Sequence, residues 1–291
     1  NVENINHELP DYKSLHITDK WIISKMHTAI QKIDKQYDQY KLNEVIKIIY
    51  EFVYNYFCDW YIEFTKTRFY GEDKEDKKIA ESVSIYVLKN ILKLLHPFTP
   101  HITEEIWSYL EIKNQKFIIN SKMINFDKQL INKNIEDEMN IIINSISAIR
   151  NIKASLNIPP SKTINLYVRG PEKETQLIEK NIILLNRLAK IDSIKTGIDI
   201  KKPNQSAAAI MKNIELFVPL KGLIDLKQEI TRLEKQIEDM NGRLNAINKK
   251  LNNPNFIDRA PKDVVAHEKN KKADYEQQLN KIQDNLQSLK D

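Results

Sequence analysis

The chain has 291 residues, a formal net charge of +5, only 5 glycines, charged residues at 29% and a single cysteine. That length leaves room for two or three domains with substantial cores, and few glycines with abundant charge point to a mainly helical protein. One cysteine excludes a disulfide framework, and no apolar run reaches membrane length, so a cytoplasmic protein without a membrane partner is expected.

The chain opens on Asn1 and not on Met, which reads as part of a longer polypeptide. Residues 1–17 lack periodicity and form an entry segment. Thr18 or Asp19 then caps a helix whose apolar positions Ile23, Met26, Ile30, Ile33 and Tyr37 recur at three and four. A second helix, from about Asn43 to Lys66, is apolar on most sides, which predicts a central place in a bundle. Cys58 lies in it and is expected to be an inert core residue. Its last turn carries Thr65, Lys66, Thr67, Arg68 and Tyr70. Cations there either complement the helix dipole or, beside aromatics, serve a single-stranded nucleotide loop.

The third helix, from about Lys77 to Leu95, must stop near His96, because Pro97 and Pro100 disfavour helix before them. Thr99 and Pro100 restart a fourth helix with Ile102, Ile106 and Trp107, making a corner. His96, His101, Glu104 and Glu105 lack a second ligand pair at helical spacing, so the corner is read as structural and not as a metal site. Phe117 to Ile119 and Met123 to Phe126 are short anchoring runs in an irregular stretch. Asn134 caps a fifth helix to about Leu156, from which Arg150 and Lys153 project as a solvated or an RNA-facing edge. Pro159-Pro160 marks a boundary, after which apolar positions alternate at Ile164, Leu166, Val168 and again at Ile214, Leu216, Val218. Residues 157–220 read as a small α+β module of three or four strands with one helix on a face.

From Leu226 an apolar seam alternates four and three through Ile230, Leu233, Ile237, Met240, Leu244, Ile247 and Leu251. Leu289, Leu286, Ile282, Leu279 and Tyr275 form a second seam. Two heptad helices broken at Asn252-Asn253-Pro254 fold back as an antiparallel hairpin. Glu268 and Lys272 fall at seam positions near the turn, so pairing should loosen there. Between Arg243 and Lys272 eight basic residues face three acidic ones, a net +5 on the tip of the arm. The cluster Arg243, Lys249, Lys250, Arg259, Lys271 and Lys272 is therefore the candidate contact with a polyanion.

Four stretches carry a family resemblance: LKLLHPFTPHITEEIW at 92–107, FCDWYIEFTKTRFYG at 57–71, AIRNIKASLNIPPSK at 148–162, and PLKGLIDL followed by a hairpin containing NPNFIDRAP. In this order they resemble the C-terminal region of class I aminoacyl-tRNA synthetases, and of the valyl-tRNA synthetases in particular. The resemblance implies a helical-bundle anticodon-binding domain at 1–156, a small α+β junction module at 157–225 and an antiparallel coiled-coil arm at 226–291. It favours anticodon-loop contacts at Tyr61, Ile62, Thr65, Lys66 and Arg68, and tRNA-corner contacts by the arm tip. The implied partner is tRNA(Val), bound by a monomer. The family's ATP and magnesium belong to a catalytic domain whose His-x-Gly-His and Lys-Met-Ser-Lys-Ser signatures do not occur here, so neither catalytic residues nor a cofactor are expected in this chain. The competing readings are a helical scaffold whose hairpin recruits a protein, and the same region of an isoleucyl or leucyl enzyme.

Overall fold

In a computed structural model, residues 9–110, 116–254, 256 and 261–290 are described. The chain divides into two compact units, Asn1–Asn140 and Ile141–Asp291.

The first unit is a helical bundle. Helix α1 (Ile17–Asp38) is capped by His16, whose ring accepts from Thr18 while Asp19 reaches back to the His16 amide. The cap thus lies just before the predicted Thr18 or Asp19. Trp21, Ile22, Ile23, Ser24, Met26 and His27 are all buried, so α1 is enclosed around its circumference and is the central helix. The second helix does not take that place. Helix α2 (Leu42–Glu51) continues through wider turns over Phe52–Tyr61 into α3 (Ile62–Phe69). In the wide segment the Ile62 amide bonds the Phe57 carbonyl five residues back. Such turns bring Phe52 and Phe57, five apart, onto one buried face. Leu42, Ile46, Tyr50 and Tyr54 are left exposed on the other side, so apolar composition alone overstated the burial of this helix. Cys58 is exposed too, contrary to expectation; desolvation of its sulfur and the Asp59 carboxylate push its thiol pKa up, which leaves it a weak nucleophile.

Helix α4 (Lys74–Leu95) starts one turn earlier than predicted, because the Asp73 carboxylate accepts from the Glu75 and Asp76 amides. Helix α5 (Pro100–Ser108) follows the proline corner. Thr99 holds the N-cap position as expected, its carbonyl accepting the Thr103 amide, but its hydroxyl donates back to the Leu95 carbonyl instead of capping. The corner is pinned by His96 Nδ1 and the Thr103 hydroxyl at 2.8 Å, and Glu104 accepts the Ile118 and Ile119 amides. Leu92, Trp107, Leu110 and Ile118 form one apolar cluster. Of the expected anchoring runs only Ile118 is buried; Phe117, Ile119, Met123 and Phe126 face solvent. Helix α6 (Lys133–Ser155) is capped by Asn132, not Asn134: its side-chain oxygen accepts from the Ile135 amide. Buried Glu136 near its start takes bonds from Ser24 at 2.6 Å and Thr28 at 3.0 Å.

The second unit begins with the remainder of α6. Strands β1 (Ile164–Arg169), β2 (Ile191–Gly197), β3 (Ser206–Met211) and β4 (Ile214–Pro219) make a mixed sheet of order β2-β1-β4-β3. β1 runs parallel to β2 and antiparallel to β4, and β3 with β4 forms a hairpin. The parallel pair requires a crossover, supplied by two short helices where one was expected: α7 (Glu172–Lys180) and α8 (Ile182–Ala189). Ile164, Leu166 and Val168 on β1 and Ile214, Leu216 and Val218 on β4 are buried, as their alternation predicts.

Helix α9 (Leu226–Leu251) is capped by Asp225 and pairs with α10 (Lys262–Lys290) along the predicted seams. Leu233, Leu244, Ile247 and Leu289 are buried, and the other seam residues are half-buried. The base of this hairpin is fastened. α10 packs on β3, and Arg232 reaches the Ser155 carbonyl while pairing with buried Glu229.

Candidate nucleic-acid interface

The end of α3 is held by a buried polar network. Arg68 Nη1 lies 2.8 Å from both Asp19 carboxylate oxygens, and its Nε donates to Asp76 Oδ1 at 2.8 Å. The Tyr61 hydroxyl donates to Asp19 Oδ1 at 2.8 Å, and the His16 amide to Oδ2 at 3.2 Å. Burial alone would pull the Arg68 pKa down, but its two carboxylates more than offset that and hold it above its ordinary value. Burial and the Asp19 charge push the Tyr61 phenol well up, so it stays a neutral donor.

This arrangement engages three of the five residues expected at the anticodon loop in contacts within the bundle. Tyr61 and Thr65 are fully buried and Arg68 is 9% exposed, so none offers a free face to a nucleotide. The Thr65 hydroxyl returns to the Tyr61 and Ile62 carbonyls. Ile62 and Lys66 remain half-buried, with Lys66 paired to Glu63 on its own helix. What the network presents outward is the turn beyond it. Tyr70 is 85% exposed, and Lys74 is exposed one turn on. Gly71 permits that turn, since a Cβ there would lie 2.8 Å from the Thr67 carbonyl oxygen.

On the arm, Arg243 and Lys249 are exposed. Lys250 bridges to Glu268 at 3.3 Å across the hairpin, and Lys272 lies 3.7 Å from Glu276. Lys271 sits over the Tyr275 ring at 5.9 Å. Arg259 lies outside the described residues. The polar seam position is real: Glu268 Oε2 is buried without a hydrogen-bond partner among the described residues. The two anticipated edge cations of α6 turn inward in part. Lys153 is buried and donates to the Lys162 and Ala189 carbonyls at 2.6 and 2.8 Å, and Arg150 Nε donates to Leu188 at 3.0 Å. Neither cation network was found from sequence. The available signal was a lone Asp and a lone Arg embedded in otherwise apolar helix faces.

One chain thus carries a helical bundle with a polar-pinned turn and a hairpin with exposed cations toward its tip. The family described as the anticodon-binding domain of tRNA ligase matches residues 19–168, and the chain belongs to that family. The region at 225–290 matches the valyl tRNA synthetase tRNA binding arm. Similar proteins include the valine–tRNA ligase of Listeria innocua serovar 6a, 34% identical over 100% of this chain and 33% of its own length. That of Geobacillus kaustophilus is 34% identical over 94% of this chain and 31% of its own, and that of Bacillus subtilis 32% over 94% and 31%. The chain thus spans about a third of the length of these relatives. Among the described residues no helix is long and apolar enough to cross a membrane.

Proposed function

We propose that this chain is the tRNA-binding part of a valine–tRNA ligase, and that it orients tRNA(Val) without carrying out bond chemistry. The observation that carries this reading is the joint match of an anticodon-binding domain and a valyl-type arm within one chain. The bundle takes the anticodon loop at the α3–α4 turn, where Lys66 and Lys74 supply charge and Tyr70 a flat face. The arm takes the outer corner of tRNA through Arg243 and Lys249, with Lys250, Lys271 and Lys272 adding to the field and Arg259 belonging to the same tip. Ligation of valine, with its ATP and magnesium, belongs to the remainder of the longer enzyme, which works as a monomer in the cytoplasm. Holding a substrate in place contributes to rate through positioning.

The test is a gel shift of the chain with tRNA(Val) and with the same tRNA carrying a changed anticodon. Preferential binding of the first supports anticodon reading by the bundle. Equal binding of both leaves only the backbone grip of the arm, and no binding of either overturns the proposal.

A further inference from the structure

A cavity of about 770 Å³ opens in the second unit between the end of α6, the 157–161 loop and the end of α8. Its charged lining is Arg150, Lys153 and Lys190, and among the described residues no Asp or Glu lines it. Cations at the end of a helix ordinarily complement its free carbonyls. That accounts for Lys153, whose ammonium is used by the carbonyls of Lys162 and Ala189 and, at 3.5 Å, of Pro160. It accounts as well for the Arg150 Nε bond to Leu188.

Lys190 is not accounted for in this way. It follows the last residue of α8 in the left-handed region, at φ 54° and ψ 60°, where Asn or Gly would be less strained. Its side chain is exposed and pairs with no carboxylate among the described residues. Burial and the nearby Lys190 charge together hold the Lys153 pKa below its ordinary value. Two like charges held together at a cavity without a carboxylate leave a site electrostatically short of an anion. The volume falls within the roughly 300–1,000 Å³ of small-ligand sites, more than one phosphate needs, and Ile158, Pro160 and Leu188 give it an apolar wall.

We propose that this cavity receives one phosphodiester of bound tRNA together with its nucleoside. Lys190 and the Ser161 hydroxyl face the phosphate, and the nucleoside lies on the apolar wall. The site shares no residue with the α3–α4 turn or the arm tip, and its assignment to RNA rests on the tRNA-binding reading above.

The experiment uses the full chain and tRNA(Val), with affinity measured across a salt series. Lys190→Asn keeps a residue that tolerates the left-handed backbone and removes the charge. Lys190→Glu reverses the charge. Asn should weaken binding about 3- to 10-fold and flatten the slope of log affinity against log salt by about 0.7 to 0.9, and Glu should weaken it further. Combined with Lys249→Gln, the losses should multiply, as for separate sites. Both variants should keep the parental melting temperature. Folded variants with unchanged affinity and slope overturn the site while leaving the tRNA-binding reading intact. Failure of the unsubstituted chain to bind tRNA overturns both. Titration with inorganic phosphate is the second arm: a Lys190-dependent phosphate site with unaffected tRNA binding would assign the cavity to a free phosphate compound and overturn the RNA assignment.

Discussion

The Arg68 guanidinium holds the Asp19 carboxylate through two 2.8 Å contacts, tying the last turn of α3 to the first turn of α1. Asp19 is fully buried, so this pair is a fixture of the bundle. Removing one member leaves the other charge desolvated and unpaired, which is far costlier than losing a surface pair.

Arg68→Ala should therefore destabilise the chain by about 3–5 kcal/mol. Lys66→Ala, whose ion pair with Glu63 is about two-fifths exposed, should cost less than about 1 kcal/mol. Urea unfolding checks the first contrast, and tRNA binding checks a second. Lys66→Ala should weaken binding with the fold intact, whereas the effect of Arg68→Ala on binding should follow its loss of structure. A stable Arg68→Ala chain would show that Asp19 is not buried as described.

A second prediction concerns pH. His27 is buried, and its Nδ1 accepts the Asp127 amide at 2.9 Å, which fixes the neutral tautomer with hydrogen on Nε2. Burial pushes its pKa below the ordinary 6.5, with Asp127 opposing in part. The unfolded chain then binds more protons than the folded one, so this contribution is complete above the unfolded value and is lost as pH falls through the folded one. His16 acts in the same sense, its pKa lowered by partial desolvation of the ring and by the Arg68 charge. Stability should decline from pH 6.5 downward, ahead of the carboxylate range. His27→Gln, which keeps an acceptor but does not titrate, should flatten that limb in urea titrations at a series of pH values. An equally steep limb in the variant would exclude His27 as its source.

For the arm, Arg243→Gln and Lys249→Gln alter exposed positions and should leave the melting temperature unchanged. Each should reduce the salt slope of tRNA binding by about 0.7 to 0.9, with a similar loss for every tRNA sequence. Lys250→Gln differs, because it also removes the partner of half-buried Glu268 and should loosen the hairpin. Circular dichroism separates that effect from lost phosphate contact.

Periodicity made the elements legible. The seams of α9 and α10, the strands β1 and β4 and the proline corner all follow from spacing and backbone stereochemistry. What it did not convey is which side of an apolar helix is covered. Phe52 and Phe57 share a face because the turns widen, while Tyr50 and Tyr54 on the other side stand in solvent. The candidate interface suffered most, because Lys66 and Arg68 are equivalent in a sequence. Only their surroundings separate a residue half open to solvent from one locked between Asp19 and Asp76. Long-range pairing of polar groups leaves no periodic trace.

The last prediction concerns the arm and its mount. A two-helix hairpin has little core of its own, which would make α9 and α10 a removable appendage. The contacts at its base argue otherwise. α10 packs on β3, Leu289 near its end is buried, and Arg232 bonds the Ser155 carbonyl beside buried Glu229. A chain ending at Asp225 should keep the cooperative melt of the bundle, whose contacts from Trp21 to Tyr56 and Phe64 and from Arg68 to Asp19 lie within the first unit. The sheet should not escape unchanged, because β3 is an edge strand and α10 covers it. Amide exchange over Ser206–Met211 should rise at least about tenfold, which corresponds to about 1.4 kcal/mol of lost local stability. Unchanged protection of those amides would make the hairpin an appendage after all, and loss of the bundle's melt would make it part of the first unit's folding.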